Sequence, residues 1–181
     1  MPEAAALPAW DLSDLYPAPD SPALEADFAR ADAASVAFAA VYQGKLASAD
    51  LPAAISEYER IHEILGRIGS YAGLLFAGDS TDAKLGQFYQ IVSERITAIS
   101  THLLFFTLEL NRMDDTPDAG RYGPWLRDLR VFRPHQLSDE VEKLLHEKDV
   151  VGASAWSRLF DETTAGMRIS LAGESDRKSV V

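Results

Sequence analysis

Between Leu85 and Leu110 the residues Leu85, Tyr89, Val92, Ile96, Ile99, Leu103, Phe106 and Leu110 recur at alternating steps of four and three. That spacing keeps them on one stripe of an α-helix and on neither face of a strand. It predicts one long helix without a break from 85 to 110. Burying these side chains is worth about 12–24 kcal/mol before chain entropy, an upper figure at roughly 1.5–3 kcal/mol each. Toward the C-terminal end Leu104, Phe105 and Leu108 make the segment apolar nearly all round, so that end needs cover on several sides. Pro117 blocks further extension.

Two earlier segments can supply neighbours. Ser21-Pro22 reads as an N-cap followed by proline in the first turn, where a missing N–H costs nothing. From there Leu24, Phe28, Ala31, Ser35, Phe38 and Tyr42 share one helical face, which Gly44 ends. Asp50-Leu51-Pro52 opens a second helix, carried by Ile55, Tyr58, Ile61, Leu65, Ile68, Ala72 and Leu75 to Gly78-Asp79. Three long amphipathic helices joined by short turns pack antiparallel.

The texture then changes. Arg121–Gln136 is interrupted by Pro124 and Pro134 and holds short helical pieces at most. Ser138 with Val141, Leu144 and Leu145 makes a short helix, with Asp139 and Glu140 suited to its N-terminal dipole. Ser154–Met167 makes another, with Trp156, Leu159, Phe160 and Met167 available to a core. Met167, Ile169 and Leu171 alternate with Arg168 and Ser170, the periodicity of a strand, and no partner strand is read. The expected fold is mainly all-α. A Pro-rich lead occupies 1–20, a long-helix bundle 21–115, and short helices ending in one strand 116–171. A tail at 172–181 ends on Val180-Val181, as if the chain were cut before its natural end.

A net charge of −11 over 181 residues excludes the large classes that reward Lys and Arg, namely nucleic-acid binders and anionic-membrane binders. The absence of cysteine excludes a disulfide scaffold and a thiolate metal site and fits a reducing compartment. The start, MPEAAALPAW, lacks the basic and apolar runs of a secretory signal. The longest uncharged apolar run is too short to span a bilayer. A cytoplasmic protein is expected.

Catalytic spacings are tested one by one. A helical H-E-x-x-H zinc site needs histidines four apart on one face. Four after His146 stands Val150, and four after His62 stands Gly66. Glu59 and His62 form one E-x-x-H, but a bundle di-iron site needs two such pairs and two further glutamates. Glu142 and His146 share a face as two ligands without a third, the pattern of a surface ion pair. His102 sits beside the long helix seam, where a lone histidine is ordinarily a boundary residue. Arg121–Gln136 carries four arginines against Asp128, interleaved with Tyr122, Trp125 and Phe132. In an acidic protein such arginines pair with carboxylates or stack on rings. Gly66, Gly69 and Gly73 each cost about 1 kcal/mol in a helix relative to alanine, which points to close approach of a neighbour. No catalytic, cofactor-binding or metal residue is assigned.

Whole phrases say more than these spacings. Trp10-Asp11-Leu12-Ser13-Asp14-Leu15-Tyr16 resembles the opening of oligoendopeptidase F-type enzymes of the thimet oligopeptidase superfamily. STHLLFFTLELNRMDD, RYGPWLRDLRVFRPHQLSDEVEKLLHEK and SAWSRLFDETTAGMRISLAGE are similar, in order, to later segments of that family's N-terminal half. The resemblance implies a zinc metallopeptidase that cleaves short peptides in a deep channel. Its H-E-x-x-H helix and third zinc ligand lie in a C-terminal half outside this chain. It implies that this chain is one non-catalytic wall of the channel, inactive alone, with zinc held elsewhere. The missing catalytic domain and oligopeptide substrates are the implied partners. A stand-alone helical interaction module is the alternative.

Overall fold

The computed structural model describes residues 10–114, 118–171 and 174–177. Pro117, the first nine residues and the Val180-Val181 end lie outside them. Among the described residues seven α-helices follow one another: α1 Pro22–Tyr42, α2 Leu51–Gly78, α3 Ala83–Thr101, α4 Leu104–Arg112, α5 Gly123–Arg130, α6 Asp139–Asp149 and α7 Ala153–Gly166. A two-stranded hairpin, β1 Arg168–Leu171 and β2 Glu174–Arg177, comes last.

The helix starts are where the capping residues put them. The Ser21 hydroxyl accepts from the Leu24 N–H at 3.4 Å and the Asp50 carboxylate from the Ala53 N–H at 3.2 Å. After α1 ends, Gly44 takes φ +72°, a conformation that disfavours any side chain. Its N–H is received by the Glu109 carboxylate at 2.9 Å, which ties the first turn to the end of α4.

The first three long helices pack as expected. Phe38, late in α1, meets Tyr58, early in α2, and Phe76, late in α2, stacks on Tyr89, early in α3. Both pairs make α2 antiparallel to its neighbours. The seam Leu24, Phe28, Ala31, Ser35 and Phe38 is buried throughout, as are Ile55, Ile61, Leu65, Ile68 and Ala72 of α2. Phe38 is fully enclosed by rings from two other helices: Tyr58 of α2 at 6.1 Å, and Phe105 at 5.8 Å and Phe106 at 5.1 Å of α4, between centroids.

The N-terminal WDLSDLY phrase caps the far end of this bundle. Tyr16 is buried against Tyr71, its hydroxyl donates to the Asp27 carboxylate at 2.7 Å, and Arg67 lies over its ring. Arg67 also donates to the Leu15 carbonyl at 2.6 Å.

Two expectations need correction. The long helix predicted from 85 to 110 is divided between Thr101 and Leu104, and its halves meet at 44°. The cause lies one turn earlier. The Thr97 carbonyl is taken by Ser100 Oγ at 3.2 Å and Thr101 Oγ1 at 2.8 Å, and His146 Nε2 of α6 stands 3.3 Å away. Hydroxyls that bond back to their own helix bend it. His102 and Leu103 then turn with tighter i→i+3 bonds, to Ile99 and Ser100. The seam survives the bend, because Ile99, Leu103, Phe106 and Leu110 all remain buried. The second correction concerns the strand read without a partner. It pairs antiparallel with β2, Arg168 opposite Arg177 and Leu171 opposite Glu174.

No single helix among the described residues is long and apolar enough to cross a membrane; only α3 and α4 taken together reach that composition, and they are bent. Phe38→Ala and Phe106→Ala should each destabilise the fold by about 3–5 kcal/mol. Phe160→Ala, on an exposed position, should change it by less than about 0.5 kcal/mol. Urea denaturation followed by circular dichroism checks all three.

Candidate functional site

The residues weighed for chemistry are placed apart from one another. The Glu59 carboxylate receives the Tyr122 hydroxyl at 2.7 Å, with Arg121 3.9 Å away. His62 turns the other way and lies on the Tyr58 ring, centroids 4.0 Å apart, its Nδ1 3.1 Å from the Tyr58 carbonyl. Burial against that ring pushes the imidazole below its usual pKa, partly offset by the carbonyl. Glu142 accepts the Leu137 N–H at 2.8 Å, while His146 reaches Ser100 Oγ at 2.9 Å, so these two do not pair. Glu147 lies 3.8 Å from Lys143, and His102 is exposed at the bend. Among the described residues no group of three His, Cys, Asp or Glu side chains could hold a metal ion.

The arginine-rich stretch is structural. Arg130 donates to the Met113 carbonyl at 2.8 Å, Arg133 pairs with Asp114 at 2.5 Å, and Gln136 donates to the Leu108 carbonyl at 3.1 Å. Arg130 and Gln136 thus donate to carbonyls at and just beyond the C-terminal end of α4, where the helix supplies no further N–H donors. Arg112 reaches across to Asp139 at the start of α6, and Arg121 lies over Tyr122. Of the three glycines, a Cβ at Gly69 would meet Ile96 at 3.4 Å and one at Gly73 would meet Tyr89 at 3.9 Å. Nothing in the structure explains Gly66, which faces open space.

Two features emerge that spacing alone did not assign. The first is an inversion in α6 and α7. The face of α6 turned to α3 carries His146, and the buried Val150 follows at its C-terminal cap, while Val141, Leu144 and Leu145 are exposed. Along α7 and its C-terminal cap, Trp156, Leu159, Phe160 and Met167 recur at helical spacing and are all exposed, Trp156 to 71%. Phe132, Leu137 and Val151 are exposed as well. Exposed apolar area on this scale marks a face built to be covered. The sequence signal was present, since the periodicity gave each stripe but not the direction it turns.

The second is a cleft of about 810 Å³ between the end of α2 and α7. Its lining includes Phe76 and Tyr89, whose rings stack 5.2 Å apart and nearly parallel. On the α7 side stand Ser157, Phe160, Asp161 and Thr164. Arg158 is held by Gln90 and, at 3.4 Å, by Glu162.

Residues 110–169 match the family model Peptidase_M3_N, described as oligopeptidase F. No curated protein and no solved structure matches the chain. The match runs from the end of α4 into β1, so it spans α5, α6 and α7 and their outward apolar face. Over that segment the chain is similar to the N-terminal part of oligopeptidase F-type peptidases, and the match supports reading it as such a portion.

Burial pushes the Tyr58 hydroxyl up to about 12 from an ordinary 10.0. The fold therefore favours its neutral form. That contribution is fully present below pH 10, declines above it and is lost as pH rises through the folded value. Urea midpoints taken between pH 9 and 12 should fall across this window, and Tyr58→Phe should flatten the fall.

Proposed function

We propose that this chain is the non-catalytic N-terminal part of a cytoplasmic, zinc-dependent oligoendopeptidase and forms one wall of its substrate channel. The observation that supports this is the inverted α6–α7 surface within the family-matched segment. A helix pair that turns its polar contacts inward and its leucines and tryptophan outward is half of a core. The other half is the catalytic portion of the same polypeptide. Covering the face would bring that portion against α6, α7 and the hairpin, and a channel between the two would admit flexible oligopeptides and exclude folded proteins.

The residues described here do not fit a zinc site, because the histidines and carboxylates diverge. No step of hydrolysis runs through them. The role of this chain is to position the covering portion and to limit access, and it is inactive alone.

Extending the reading frame beyond codon 181 should reveal an in-frame H-E-x-x-H. The 181-residue chain by itself should bind a hydrophobic dye and self-associate in light scattering. Leu144→Glu with Leu159→Glu should reduce both signals while leaving the urea midpoint nearly unchanged. A stop after codon 181, with a monomeric chain that binds no dye, would favour the other reading, a stand-alone interaction module. Chelator-sensitive peptide hydrolysis by the chain alone would overturn the proposal.

A further inference from the structure

The cleft between α2 and α7 borders the outer apolar face at Phe160 but differs from it, because its walls mix rings, hydroxyls and charge. At about 810 Å³ it lies in the range of small-ligand sites, roughly 300–1,000 Å³. The Phe76–Tyr89 stack forms an apolar floor, and Phe160 stands on the opposite wall. Gly73 leaves this floor open. A Cβ there would meet only Tyr89, at an ordinary 3.9 Å. The helix therefore gives up the stability of an alanine where none is sterically forbidden. The charge is also uneven. Arg158 is engaged by Glu162 and Gln90, and Asp79 accepts from Thr81. Asp161 has no ion pair among the described residues, although it stands on the lining of the cleft. Ser157 and Thr164 add hydroxyls beside it.

We propose that this cleft is a subsite for the amino-terminal end of an oligopeptide. An aromatic first side chain enters between the Phe76–Tyr89 stack and Phe160, and its ammonium group faces the Asp161 carboxylate. Aromatic walls reward a ring, and a carboxylate without a cation rewards an amine. The hydroxyls of Ser157 and Thr164 suit the amides that follow. The choice of a peptide as ligand rests on the peptidase reading above, whereas the ring and the amine follow from the cleft.

The test is titration calorimetry of the full chain with Phe-Gly-Gly amide, its N-acetyl form and Ala-Gly-Gly amide. The free-amine phenylalanine peptide should bind most tightly. Replacing its ring by a methyl should weaken binding at least about tenfold. N-acetylation or Asp161→Asn should each weaken it up to about fivefold, the scale of an exposed charge pair, and the two together no further. Ser157→Trp, which fills the cleft from an exposed helix position, should abolish binding. Gly73→Ala should raise the thermal midpoint and still weaken binding, a combination that a merely structural glycine would not give. Equal binding of the alanine peptide, full binding by Ser157→Trp, or no binding of any probe would overturn the subsite. The reading-frame result is independent of these titrations, so the two proposals fail separately.

Discussion

The packing of Phe38 against Tyr58, Phe105 and Phe106 is the contact on which the remaining architecture depends. It brings α1, α2 and α4 to one point, and Trp125 of α5 reaches the same cluster through Tyr58. Rings bury large areas in specific offset and edge-on geometries, so this junction fixes angles as well as distances. Everything after residue 104 leaves the bundle from there. The direction of α4 decides where the carbonyls at its end and Asp114 lie, and Arg130, Gln136 and Arg133 of the following segment settle on them. The position of α5 and the route into α6 follow from that settlement.

The fold therefore has two parts with different physics. The bundle of α1, α2 and α3 is closed, with Ser35, Ala31 and Ile68 fully enclosed and its N-terminal end sealed by Tyr16 and Arg67. The segment from α5 to α7 is held by side-chain caps, by His146 and by Arg112, and has little core of its own: α6 and α7 contain no buried residue. A segment of this kind is complete only when something apolar lies over it. That contrast underlies both proposals, one concerning what covers the outer face and the other what enters the cleft beside it.

The closed part was legible from the amino-acid order because helical period is a local property. The seams of α1 and α2 and their Ser21 and Asp50 caps could be read directly. The break at His102 and Leu103 could not. It depends on His146, distant in sequence, and on hydroxyls whose choice of carbonyl is set by the folded chain. The partner strand Glu174–Arg177 was equally silent, since Glu-Ser-Asp-Arg carries no alternation and pairs through its backbone. For the candidate sites, spacing offered no complete zinc or di-iron pattern. It missed the cleft because Phe76, Tyr89 and Asp161 come from three helices, and only their packing brings them to one place.

The shared carbonyl of Thr97 has one more implication. Because α6 reaches it through His146, the angle at which α4 departs is not an internal affair of the bundle. Any load placed on the outside of α6 is felt, through one imidazole, at the joint that aims the aromatic junction. A covering domain would thus tune the shape of the scaffold it rests on, the way a keystone adjusts both limbs of an arch.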